Sequence, residues 1–300
     1  MVVKNWGQCI VFCSGHQLII HNAEKTETIT LPEAQSCENR NGKEHGNISN
    51  LCISKDSSLI AVSTENKQIV VFNKQLIVVK NFNVGRVSSQ ICFTPDNSLI
   101  VADKTGDVYL YNLSSEIISP LLLLGHMSVV LDVLVTDCGK YIITCDRDEK
   151  IRVSRFPNSY NIQSFCLGHK EFVIALKTIG NKLISASGDG TIKCWDYING
   201  NELGMINVNE SIDKQDIHKF CEEMNSEDIE VSALPITDMQ LHSVDTHFFI
   251  GVSLFQQEKL LLYSMNSESF KVEFCKHIFV NSSYCFDLSG ELLILTPEKL

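Results

Sequence analysis

The stretch that decides the fold is Ser187-Gly-Asp-Gly-Thr-Ile-Lys-Cys-Trp-Asp196. A tight turn runs into a β-branched and aromatic strand that ends on Trp-Asp. Its counterpart 41 residues earlier is Asp146-Arg-Asp-Glu-Lys-Ile-Arg-Val-Ser-Arg155, which places Asp148 under Asp189, Ile151 under Ile192 and Ser154 under Trp195. Further back, Gln68-Ile-Val-Val-Phe-Asn73 and Asp107-Val-Tyr-Leu-Tyr-Asn112 put Phe72 and Tyr111 at the same position. The steps from Phe72 to Tyr111, Ser154 and Trp195 are 39, 43 and 41 residues. A period near 40 built from short alternating strands is that of a propeller blade.

Gly125-His126 and Gly168-His169 lie 43 apart, each about twenty residues before its aligned turn. Gly-His, then Asp in a turn, then Trp-Asp is the WD-repeat signature, and residues 168–196 carry all of it. The expected architecture is therefore an all-β WD-repeat β-propeller in one domain spanning 1–300. Blades are expected near 48–83, 87–120, 127–165, 170–206 and 236–275. Two strands' worth of chain precedes residue 32, and a last unit starts near Ile278. With the N-terminal strand closing the ring beside the C-terminal unit, the count is seven, the last blade incomplete. Within residues 168–196, His169, Ser185 or Ser187, Asp189 and Trp195 are expected to form a buried hydrogen-bond chain. His126 and Asp148 are its counterparts one blade earlier. A buried chain of this kind holds only if every member is satisfied, so these residues are structural and His169–Asp189 is no catalytic dyad.

Two segments break the repeat. Residues 32–47 read as a polar loop, and 208–234 as an acidic, partly helical insertion. Between Glu210 and Glu230 stand eight acids against Lys214 and Lys219, while Ile217, Phe220, Cys221 and Met224 recur at helical spacing. The whole chain carries a net charge of −11, which opposes autonomous binding to a phosphate backbone. Its 12 cysteines include no C-x-x-C pair and mostly sit where an apolar residue would, as expected of thiols in a reducing compartment. They offer no metal site. No window approaches the ~20 consecutive apolar residues of a membrane helix, so no membrane partner is expected. Phosphate-binding glycine loops, H-E-x-x-H and G-x-S-x-G are absent, and so is an alternating strand–helix domain for a nucleotide-derived cofactor.

The fourth unit departs from its neighbour where function is easily stored. Where the fifth has Gly188-Asp-Gly-Thr191, it has Arg147-Asp-Glu-Lys150, followed by Arg152 and Arg155, and it loses the aromatic at Ser154. Solvated internal charge pairs would account for that turn on composition alone. The run Leu124-Gly-His-Met-Ser-Val-Val-Leu-Asp132, Asp146-Arg-Asp-Glu-Lys-Ile-Arg-Val-Ser154, Ser164-Phe-Cys-Leu-Gly-His169 and Ser187-Gly-Asp-Gly-Thr191 is more specific. It resembles the non-catalytic WD-repeat subunit of the eukaryotic tRNA (guanine-N7)-methyltransferase, the family called wuho in insects. Ala102-Asp-Lys-Thr-Gly-Asp-Val-Tyr109 resembles the family's preceding blade.

That resemblance implies a heterodimer in which the propeller does no chemistry and binds no cofactor. The catalytic subunit would bind S-adenosylmethionine and methylate a guanine of tRNA, which the propeller helps to position indirectly. It implies Lys150 and Arg152, with Arg147 as a weaker candidate, as partner-binding residues, and a nuclear location shared with the cytoplasm. The alternative is a generic propeller scaffold, such as a ubiquitin-ligase substrate receptor, because one architecture hosts many binding functions.

Overall fold

The computed structural model describes residues 2–34, 46–266, 272–280, 284–288 and 292–296. The first blade is β1 (Val3–Trp6), β2 (Cys9–Ser14), β3 (Gln17–His21) and β4 (Thr26–Thr30). The second is β5 (Ile48–Ile53), β6 (Leu59–Thr64), β7 (Gln68–Asn73) and β8 (Val78–Asn83). The third is β9 (Ser88–Phe93), β10 (Leu99–Asp103), β11 (Asp107–Tyr111) and β12 (Pro120–Gly125). The fourth is β13 (Val130–Val135), β14 (Tyr141–Asp146), β15 (Ile151–Arg155) and β16 (Ile162–Cys166). The fifth is β17 (Val173–Ile179), β18 (Lys182–Ser187), β19 (Thr191–Asp196) and β20 (Asn201–Asn207). A helix, α1 (Lys214–Asn225), precedes the sixth: β21 (Ile236–Val244), β22 (His247–Leu254), β23 (Lys259–Asn266) and β24 (Val272–Phe279). A two-stranded sheet, β25 (Cys285–Asp287) and β26 (Leu293–Leu295), follows.

Every sheet is an antiparallel meander in chain order. The chain is thus an all-β propeller with six four-stranded blades among the described residues, not seven, and a separate two-stranded sheet. The residues before 32 make a complete blade rather than two strands. Ile10 to Ser14 pair with Gln17 to His21, which pair in turn with Thr26 to Thr30. The first strand keeps its place in that blade and lies against β25. There the backbone and side-chain amides of Asn5 both donate to Asp287 Oδ2 at 3.0 Å, and Lys4 Nζ stands 3.6 Å from Oδ1.

Strand periodicity places the core between blades. Val70 and Phe72 pack toward the first blade with Leu18 and Ile20. Ile69 and Val71, one residue out of phase, pack toward Leu99 and Val101 of the third. The same alternation joins blades three and four around Ile100, Val108 and Ile142, and blades four and five around Ile143, Val153 and Trp195. The turns hold the blades at close range. A Cβ on Gly106 (φ +100°) would fall 2.5 Å from the His126 carbonyl oxygen.

Of the loop expected at 32–47, residues 35–45 lie outside the described residues. The acidic insertion forms a one-turn 3-10 helix at Val208–Ser211 and then α1, whose N-cap Asp213 accepts from Gln215 N at 2.9 Å. Phe220 is buried and meets Phe255 at 5.7 Å, while Lys259 reaches Asp216 at 3.5 Å. The described cysteines are free thiols; burial pushes Cys13 and Cys166 up to about 12. Among the described residues no helix is long and apolar enough to cross a membrane.

Candidate interaction rim on the fourth blade

The fifth blade gives the reference geometry. Trp195 Nε1 donates to Ser185 Oγ at 2.8 Å, and Ser185 Oγ lies 2.8 Å from His169 Nε2. His169 Nδ1 lies 3.0 Å from Asp189 Oδ2. One proton arrangement satisfies all four: Trp N–H to Ser oxygen, Ser O–H to Nε2, and Nδ1–H to the carboxylate. Ser187 stays outside this chain, with its Oγ donating to the Glu171 carbonyl and accepting from Asp189 N. Burial works against the Asp189 charge. The His169 hydrogen bond and charge, with Thr191 and Lys170 N, outweigh it and hold the carboxyl well below the usual carboxylate range.

In the fourth blade His126 Nδ1 meets Asp146 Oδ2 at 2.8 Å, and Nε2 meets Thr144 Oγ1 at 2.8 Å. Its acidic partner is therefore Asp146; Asp148, assigned that place from the strand alignment, is exposed on the turn. The cause is hairpin length. Val135 pairs with Ile142 across six intervening residues, whereas Thr178 pairs with Leu183 across four. The second strand slides by two, so the acid 20 residues after the histidine sits at the end of the strand instead of in the turn. The equal spacing of 20 in both blades was the signal available in the sequence.

Asp146 also organises the turn. Its Oδ1 accepts from Asp148 N at 3.0 Å and Lys150 N at 3.1 Å, and Arg147 N donates to Val129 O at 3.0 Å. Burial opposes its charge, but His126 and the Lys150 amide hold its pKa down. The backbone of 146–150 is pinned from within while the side chains of Arg147 and Lys150 extend into solvent. Neither makes a hydrogen bond or ion pair among the described residues.

Arg152 is different. Its Nε donates to Ser154 Oγ at 2.9 Å, one terminal nitrogen to Ser159 O at 3.1 Å and the other to Gly125 O at 3.4 Å. Burial lowers its pKa. The guanidinium thus ties β15 to the end of β12 and to the loop at Ser159. It braces the rim from a half-buried position, with one terminal nitrogen at the surface.

Exposed apolar side chains surround this support. Phe165 pairs with Arg152 across β15–β16, and Leu167 follows Cys166, the partner of Ile151. Met127 is fully exposed, Leu167 65%, and Leu121 and Leu122 more than half. Free cationic groups beside an apolar surface suit a protein partner that brings carboxylates. Among the described residues no group of three metal-ligating side chains comes together.

The family model described as the tRNA methyltransferase TRM82 WD40 domain matches residues 20–120 and 114–284. The chain belongs to that family. Among its curated relatives, the "tRNA (guanine-N(7)-)-methyltransferase non-catalytic subunit wuho" of Drosophila mojavensis is 44% identical over 164 residues. That match covers 52% of this chain and 43% of the relative. The protein of the same name from Drosophila melanogaster is 43% identical over 165 residues, covering 52% and 38%. The chain spans less than half the length of these relatives.

Two solved structures share the architecture. A chain in the "Crystal Structure of Mitotic Checkpoint Complex" superposes with a TM-score of 0.74 at 12% identity, covering 96% of this chain and 83% of that one. The β-propeller domain of Myceliophteria thermophila Cps50 (Swd1) gives 0.73 at 9% identity, covering 99% and 94%. At such identities they establish the fold alone.

Proposed function

We propose that this chain is the non-catalytic scaffold subunit of a tRNA (guanine-N7)-methyltransferase. In this reading it does no chemistry and holds no cofactor. It binds and stabilises a catalytic subunit, which carries S-adenosylmethionine, and helps to position tRNA through that subunit. The observation that carries the reading is the family match over residues 20–120 and 114–284, which includes the fourth blade, where Lys150 stands on a turn fixed by Asp146. Lys150, with Arg147 beside it, offers charge to carboxylates of the partner; Arg152 holds the surface they stand on. We count the β25–β26 sheet as the start of a seventh blade that completes the ring between β24 and β1. The assembly works in the nucleus and also in the cytoplasm.

The test is affinity purification of the chain from its native cells with identification of the co-purifying proteins, beside a Lys150→Glu, Arg147→Glu variant of unchanged melting temperature. A methyltransferase present with the first and lost with the second is the expected result. A methyltransferase retained by both moves the contact elsewhere. A ubiquitin ligase in its place removes the methyltransferase reading and leaves a propeller scaffold of another kind.

A further inference from the structure

The third blade lacks the histidine motif of the fourth, and the difference leaves a shaped site between blades two and three. Strand register makes the comparison unambiguous. Ile69 pairs with Phe82 and Val108 with Leu124, and two residues after each outer-strand residue come Val84 and His126. The amides of these two residues make the same bond, Val84 N to Lys67 O and His126 N to Gly106 O. Val84 therefore stands where His126 stands. Val101, paired with Tyr109, stands where Thr144 is paired with Arg152, and Asp103 ends β10 as Asp146 ends β14.

Two apolar residues have thus replaced the imidazole and the hydroxyl, while the carboxylate remains. Asp103 is 3% exposed. Its Oδ1 accepts from Thr105 N at 2.7 Å, Thr105 Oγ1 at 2.7 Å and Asp107 N at 3.2 Å. Its Oδ2 is buried and has no hydrogen-bond partner among the described residues. The nearest cation, Arg86, stands 4.0 Å away, beyond hydrogen-bond reach, and is engaged by Thr105 Oγ1 and by Asp107 at 3.6 Å. A cavity of about 220 Å³ adjoins this carboxylate, walled by Val84, Val101, Tyr109 and Tyr111 with Arg86 at its exposed end. Phe82 backs Tyr111 at 5.3 Å, and burial pushes the Tyr111 hydroxyl up to about 12, so it stays neutral.

We propose that this cavity receives a lysine or arginine side chain from a partner polypeptide. Its aliphatic stem lies against Val84, Val101 and the tyrosine rings, and its N–H donates to Asp103 Oδ2 as Arg86 turns to Asp107. The chemistry selects this occupant in three steps. An orphaned, buried carboxylate oxygen needs a donor, and a charged donor compensates it best. Aromatic faces favour a cation over a neutral amide. The apolar walls match a stem several carbons long that ends in one charge. The site lies on a different blade junction from the Lys150 rim and stands whether or not that rim holds a methyltransferase.

The test uses the full chain with isotope-labelled tyrosine and valine, titrated with N-acetyl-lysine methylamide and N-acetyl-arginine methylamide. Saturable shifts at Val84, Val101, Tyr109 and Tyr111 are expected, with N-acetyl-leucine methylamide producing none. Asp103→Asn keeps the amide oxygen for the turn but places a donor where Oδ2 stands; it should weaken binding about tenfold or more. Val84→His supplies the imidazole used in blade four and should abolish binding while preserving the fold, shown by unchanged signals from blade five. Absence of shifts with both capped residues overturns the proposal, as does binding that persists in both variants. Tighter binding of putrescine would assign the site to a free amine, and binding of guanosine monophosphate alone would assign it to a nucleobase; either result overturns a polypeptide side chain as the occupant.

Discussion

Replacing Asp146 by alanine should cost far more than replacing Asp148, although the strand alignment gives Asp148 the structural place. Asp146 is 3% exposed and serves His126 through Oδ2 and two turn amides through Oδ1. Its removal leaves the His126 ring, itself only 6% exposed in its side chain, with no carboxylate. Leaving a buried imidazole N–H without its charged acceptor costs about 1.5–3 kcal/mol, and the two lost turn bonds add about 0.5–1.5 kcal/mol each, less than additively, so about 3–5 kcal/mol is at stake. For a domain of this size each kcal/mol moves the melting temperature by about 2 °C, so a fall of about 6–10 °C is expected. Asp148 donates only its backbone amide, which alanine retains, and its exposed side chain should be worth less than about 0.5 kcal/mol. Thermal melts of both variants followed by circular dichroism decide the matter. Equal losses, or a larger loss at Asp148, would refute the assignment of the His126 partner.

Three further outcomes follow from the same geometry. Trp195→Phe removes the donor to Ser185 Oγ from a fully buried position and should lower stability by about 1–3 kcal/mol, read from the urea midpoint; an unchanged midpoint would show that the chain carries no weight. Asp189 and Asp146 have folded-state pKa values below their unfolded ones, so their stabilisation is complete above about pH 4–5 and is lost as pH falls through the unfolded value toward the folded one. The melting temperature should therefore drop between about pH 4.5 and pH 2.5, less steeply in an Asp146→Asn, Asp189→Asn double variant, and equal slopes would sink that account. Asp287→Ala removes the acceptor of both Asn5 donors, so hydrogen exchange in β25–β26 should accelerate at least tenfold while β14 and β18 keep their protection.

What could be read from the chain alone was whatever a blade repeats locally. The period near 40, the alternation of Ile69, Val70, Val71 and Phe72, and the His169–Asp189–Trp195 motif are short-range patterns, because each blade pairs only with its own consecutive strands. The family, too, was legible in the Asp146–Ser154 string. The tertiary structure alone decided where side chains end when the neighbouring blade or hairpin sets the distance. Two extra residues in the β13–β14 hairpin moved the acid partner of His126 from Asp148 to Asp146. The Arg152 guanidinium is held by Ser154 Oγ and by the Gly125 and Ser159 carbonyls, which the fold brings to it. Asp103 lacks that partner because Val84 and Val101 stand where His126 and Thr144 do one blade on. Strand pairing is dictated by residues close along the chain, whereas the satisfaction of a buried polar atom depends on whatever packing brings to within 3 Å of it.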